Sequence, residues 1–108
     1  MADLGVKGPG SRQGGIRPLV IVSNDMANKY SPVVTAVPLT TRIAKKRHLP
    51  THVFVSAYKN DALTRHSIAL CEQITPLEVD KIIEVLGMMD VGTLAEVTKG
   101  IQVQVGIV

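Results

Sequence analysis

Gln13-Gly14-Gly15-Ile16-Arg17-Pro18-Leu19-Val20-Ile21-Val22-Ser23-Asn24-Asp25 is the stretch whose reading decides the fold. Two glycines permit a tight turn, and the short β-branched run behind them reads as a buried strand over Arg17–Asn24. Pro18 has no N–H for a ladder and belongs at the first residue or the edge of that strand. Arg17 therefore stands at the entrance to a rigid element, after a glycine-rich loop. A guanidinium mounted there can present paired donors to two phosphate oxygens. The same position also suits an arginine that snorkels or pairs with a carboxylate at a strand end.

Upstream, Gly5 to Gly15 holds five glycines, a proline, Lys7 and Arg12, and residues 1–15 read as a flexible glycine-rich loop segment. It ends without the Lys-Ser/Thr of a phosphate-binding P-loop and has no strand before it, which argues against nucleotide binding. Downstream, Asn24 to Pro32 is a turn-forming connection, and Val33–Thr41 is a second strand in which Pro38 points to an edge or a bulge. Thr40 stands at that strand's end, where a hydroxyl can reach a ligand, although threonine is also an ordinary strand residue.

Arg42 to His48 follows, with Lys45-Lys46-Arg47 the densest basic cluster, either a phosphate-tracking loop or a solvated one. His48 and His52 are four residues apart, but Pro50 lies between them and Thr51–Val55 alternates like a strand, so no helical metal pair forms. Ser67–Ile74 reads as another strand, with Cys71 structurally buried. Thr75-Pro76-Leu77-Glu78 carries a helix-start signature. Ile82–Leu86 either extends that short helix or forms a last strand. Asp90 caps a final helix whose apolar stripe is Leu94, Val97, Ile101, Val105 and Val108.

The 108 residues are expected to form one domain; no apolar run approaches the length of a membrane span, and Met1-Ala2-Asp3-Leu4 has no signal-peptide layout. One cysteine fits a reducing compartment, so a cytoplasmic location is expected. The net charge of +3 is unevenly spread. Residues 1–66 hold ten of the twelve Lys/Arg and three of the nine Asp/Glu, a net +7, and the remainder carries −4. A basic first part suits a polyanion, nucleic acid foremost. The fold expected from these segments is mainly β with α, a small antiparallel barrel of about five strands with a C-terminal helix.

Gln13-Gly14-Gly15-Ile16-Arg17-Pro18, Asn24-Asp25, Asn28-Lys29-Tyr30-Ser31-Pro32, Leu49-Pro50-Thr51-His52-Val53 and Glu72-Gln73-Ile74, in that order, resemble the MazF/PemK family of bacterial toxins. The resemblance implies an SH3-like barrel of the PemK/CcdB type. It implies a metal-independent endoribonuclease that needs no cofactor and cuts single-stranded mRNA at short sequences, leaving 2′,3′-cyclic phosphate and 5′-hydroxyl ends. It also implies a homodimer silenced by a cognate antitoxin. The family's essential arginine maps onto Arg17 and its essential threonine onto Thr40, with Thr41 the neighbour most easily confused with it. Gln13, Gly14, Gly15, Asn24, Lys45, Lys46, Arg47, Glu72 and Gln73 are the expected RNA-binding positions. His52 and His66 are expected to be structural.

The family begins with a strand that ends in a sequence like Ala2-Asp3-Leu4, and this chain starts there, so an open sheet edge is expected, covered by the Gly5–Gly15 segment, by a dimer partner or by neither. Single-residue insertions around Arg42–His48 and Tyr58–Arg65 alter loops that choose the cleavage sequence in the family. Two other readings share the barrel: a non-catalytic toxin acting on DNA gyrase, which would not need the Arg17/Thr40 pair, and a shortened, inactive remnant that binds RNA or antitoxin.

Overall fold

In the computed structural model the described residues are 3–9, 16–23, 32–43, 49–82 and 84–106. Among these residues seven strands and one α-helix follow one another: β1 Asp3–Pro9, β2 Ile16–Ile21, β3 Val33–Thr40, β4 His52–Val55, β5 Ser67–Leu70, β6 Thr75–Glu78, β7 Glu84–Met88 and α1 Val91–Gln104. The sheet runs β4-β5-β3-β2-β1-β7, with β6 also on β3, and every pair is antiparallel.

Strand alternation sends side chains to two cores. One face of the sheet gathers Val20, Val37, Leu39, Val53, Val55 and Ala69 with Cys71, Met89 and Val97. The other face supplies the smaller cluster of Leu19, Ile21, Val34, Ala36 and Leu77. α1 covers the first face. Asp90 caps it as expected, accepting from the Thr93 N–H at 3.0 Å, and Leu94, Val97 and Ile101 pack inward. The expected stripe ends there, because Val105 is exposed and Val108 lies outside the described residues. Gly100 lets the helix settle on Cys71, since a Cβ at that position would lie 2.7 Å from the Cys71 sulfur. Cys71 is fully buried, with its thiol donating to the Val97 carbonyl at 3.6 Å. Burial, reinforced by the Glu72 carboxylate, pushes that thiol's pKa up to about 11, so it stays protonated.

Two local readings give way to the sheet and a third, left open, resolves as a strand, which makes seven strands among the described residues instead of about five. The segment read as a glycine-rich loop is strand β1 as far as Pro9, and residues 10–15 lie outside the described residues. Its register against β2 shifts between Leu4 and Val6, so Gly5 is the extra residue of a bulge. Gly5–Pro9, the start of the segment named as a possible cover for an open edge, is paired in β1 with β2 on one side and β7 on the other.

Thr75–Glu78, the supposed helix start, is strand β6 on the Val33–Ala36 half of β3. Burying Leu77 in the second cluster outweighs a local capping preference, and Pro76 is tolerated because β6 pairs on one side only. Glu84–Met88 settles the last ambiguity as strand β7.

Pro38 lies neither at a sheet edge nor in a bulge, because β3 is the central strand. The Val22 N–H donates to the Thr35 carbonyl at 2.8 Å, so the Thr35 parity of β3 faces β2 and Pro38, of opposite parity, faces away. On that side β3 pairs β6 up to Ala36 and β5 from Leu39. The missing N–H falls in the gap between the two partners.

A candidate RNA-cleaving site at the end of β3

β3 delivers Thr40 to the sheet end at which β2 begins. The β2–β3 pairing stops at Leu19 opposite Pro38, and two residues further along each strand stand Arg17 and Thr40. Arg17 is held from the other side by β1, where it pairs with Gly8. The topology thus brings the two candidate catalytic positions to one strand junction from segments 23 residues apart. Thr40 is 5% exposed and pairs with Ile68 of β5, while Thr41 is exposed in the bend that follows. The Thr40 hydroxyl oxygen accepts from the Arg42 N–H at 3.2 Å. That contact orients the oxygen, and among the described residues no acceptor takes its proton. Gln13, Gly14, Gly15, Asn24, Lys45, Lys46 and Arg47 lie outside the described residues.

Glu72 and Gln73 occupy a 3-10 turn, Cys71–Gln73, directly after β5. The Glu72 carboxylate is gripped at both oxygens: Thr51 Oγ1 donates to one at 3.0 Å and His52 Nε2 to the other at 3.0 Å. Both partners come from the Leu49–Val53 block, and the Cys71 N–H bonds the Thr51 carbonyl at 3.0 Å to hold the turn against it. The sequence marks that block only through the family resemblance. Nothing in its spacing says that Thr51 and His52 serve Glu72.

His52 is a structural histidine, with a side chain only 5% exposed. Its Nδ1 and the Gln73 Oε1 are buried polar atoms with no partner among the described residues. The carboxylate spends one lone pair per oxygen on the grip and retains capacity for further donors.

Burial raises the pKa of Glu72, but its own backbone N–H and the bonds from His52 and Thr51 outweigh that and hold it below the ordinary 4.5. A carboxyl with a depressed native pKa stabilises the fold fully above its unfolded value and loses that contribution as pH falls through the native one. The urea midpoint should therefore fall as pH drops below the ordinary carboxylate value, and part of that slope should vanish in Thr51→Val. Identical acid profiles for the two proteins would show that the grip is not coupled to folding.

His66, the other histidine expected to be structural, accepts the Ala57 N–H on Nδ1 at 3.0 Å. An aromatic group that sequence reading missed surrounds it: Phe54 at 5.4 Å and Tyr58 at 5.0 Å between ring centroids. Only their scattered positions appear in the sequence. Pairing across β4 and β5 assembles them.

Residues 1–105 match the family described as the PemK-like, MazF-like toxin of type II toxin–antitoxin systems. The chain is 42% identical over 100 residues to "Endoribonuclease MazF" of Staphylococcus saprophyticus, covering 91% of this chain and 80% of that protein. A mycobacterial endoribonuclease, solved in complex with its cognate antitoxin, superposes with a TM-score of 0.79 at 25% identity, over 97% of this chain and 93% of the other. MazF of Deinococcus radiodurans shares the fold with a TM-score of 0.76 at 23% identity, over 96% and 93% of the two chains. A barrel carrying Thr40 and Arg17 at one strand junction, and a family match over nearly its whole length, lead to one assignment: this chain belongs to the PemK-like, MazF-like toxins of type II toxin–antitoxin systems.

Proposed function

We propose that the protein is the toxin of such a pair, an endoribonuclease that cuts single-stranded mRNA at a short sequence and leaves 2′,3′-cyclic phosphate and 5′-hydroxyl ends. The observation that carries this reading is the convergence of Arg17 and Thr40 just beyond the last β2–β3 pair. RNA brings its own nucleophile. The 2′-oxygen loses its proton and bonds to phosphorus, the bond from phosphorus to O5′ breaks, and O5′ takes up a proton.

The protein's part is to align the 2′-oxygen with the leaving oxygen and to offset charge growing on the phosphoryl oxygens. Arg17 suits the second task by its fixed charge and paired donors, and is a poor proton acceptor. Thr40, its oxygen steadied by the Arg42 N–H, donates to a phosphoryl oxygen or aligns the 2′-hydroxyl. Gln73, with an unpaired buried acceptor, and Glu72, with lone pairs to spare, suit the amino groups of bases. The chain is further proposed to act as a homodimer and to be silenced by an antitoxin, as the mycobacterial relative is found with its own.

Incubation with a long single-stranded RNA in EDTA, followed by mapping of both ends, tests the reaction. Discrete cuts with 5′-hydroxyl ends are expected; intact RNA would sink the reading. The Lys45-Lys46 pair, outside the described residues, supplies a second expectation. Neutralising both should weaken RNA binding without changing the preferred sequence, because backbone contacts carry no base information directly. For every lysine that pairs with a phosphate in the wild type, the salt slope of binding should become shallower by about 0.7. An unchanged slope would mean that the two lysines are merely solvated.

A further inference from the structure

The β4–β5 hairpin carries an aromatic group that the cleavage chemistry does not use. Phe54 in β4 sits opposite Ile68, and Ile68 sits opposite Thr40, so the three make one transverse row with side chains on the same face of the sheet. Two strand spacings separate Phe54 from Thr40, roughly 10 Å. His66 lies two residues before Ile68 and packs its ring against Phe54 at 5.4 Å with a 42° tilt. Tyr58 meets the same imidazole edge-on, at 5.0 Å and 72°.

The group is held in place from behind. The Ala57 N–H donates to His66 Nδ1, which puts the ring proton on Nε2, and the Tyr58 N–H donates to Ser56 Oγ at 3.1 Å. Yet Phe54 is 53% exposed and Tyr58 90% exposed. A tyrosine that open contributes almost nothing to the core, so its packing in the fold does not account for it. Lys59 and Arg65 are exposed in the loop that carries Tyr58 and His66, which also holds Asp61, and Glu96 of α1 lines one hollow with Phe54 and Lys59.

We propose that Tyr58, backed by His66 and Phe54, is a stacking platform for an unpaired base of the same RNA strand whose backbone lies at Thr40. The inference rests on the endoribonuclease reading and deepens it: it gives the single strand a fixed contact on the exposed β4 side, beyond the buried Ile68 that separates Phe54 from Thr40. Stacking of this kind tolerates any base, because each has a π-face. Tyr58 is thus a binding residue that sets the path of the strand, leaving base choice to other groups.

The chain contains no tryptophan, so Tyr58→Trp introduces a lone indole whose emission reports stacking. It is titrated with a mixed-sequence 2′-O-methyl single strand, in which the nucleophile is blocked. Saturable quenching is expected. In cleavage assays, Tyr58→Ala should raise KM by about 5- to 150-fold with kcat little changed, while Tyr58→Phe stays near wild type. An indole indifferent to the strand, or an unchanged KM in Tyr58→Ala, overturns the platform. Saturable quenching in a protein that cuts no RNA upholds the platform and overturns the endoribonuclease reading, and failure of both assays overturns both.

Discussion

Thr40→Ala and Arg17→Ala should each lower kcat for RNA cleavage by about two to three orders of magnitude, the loss expected when one preorganised donor to a developing anion is removed, roughly 3–4 kcal/mol of barrier. For Thr40 the structural cost should be small. Among the described residues its hydroxyl serves one local bond, from the Arg42 N–H in the bend after β3, and its backbone pairing with Ile68 needs no side chain. Circular dichroism and urea midpoint should therefore stay close to wild type while turnover collapses. Thr40→Ser keeps the oxygen and should retain most of the rate. Arg17→Lys keeps the charge but loses the planar pair of donors and should recover little. The two alanine variants combined should lose less than the product of their separate losses, because both groups serve one charge distribution. Normal turnover in both single variants, with folding intact, would place the site elsewhere.

What could be read in the sequence divides along a physical line. Burial patterns with a strong period were legible: the β-branched run of β2, the length of β3 up to Thr40, and the capped stripe of α1 from Asp90. Each is decided by residues that lie within one element. The misread segments are those in which a local preference opposed a partner far along the chain. Thr75–Glu78 has the chemistry of a helix N-terminus, yet Leu77 finds a buried place only as a strand against Val34. Gly5 and Gly8 look like loop residues, yet one makes a bulge and the other pairs with Arg17.

The site divides in the same way. Arg17 and Thr40 could be named because each sits at the end of a legible strand and matches a family block. That they meet, and that Thr51 and His52 grip Glu72, depends on register, which no single segment encodes. The aromatic row is the extreme case: Phe54, Tyr58 and His66 carry no common motif, and only the β4–β5 pairing and the loop between them make them neighbours.

Asn60→Ala should be the most damaging single change to stability among the polar residues of that loop. Asn60 is 1% exposed and lies between the β4–β5 hairpin and the start of α1. Its amide nitrogen donates to the Ser56 carbonyl at 3.0 Å and to Thr93 Oγ1 at 3.3 Å, and its oxygen accepts the Asp90 N–H at 2.7 Å. Alanine would remove all three bonds and leave the part-buried Asp90 N–H without its acceptor. An unsatisfied buried group costs about 1–3 kcal/mol and the lost bonds add to it, so a fall of roughly 2–4 kcal/mol is expected from urea unfolding at fixed protein concentration.

Asn60→Asp separates bonding from shape. It keeps the acceptor for the Asp90 N–H, but turns the donating end into an oxygen that faces the Ser56 carbonyl and stands near the Asp90 carboxylate. A buried carboxylate there should be as harmful as alanine at neutral pH, and part of the loss should return when acid protonates it. An Asn60→Ala protein as stable as wild type would mean that water satisfies these groups and that the hairpin does not depend on the clamp.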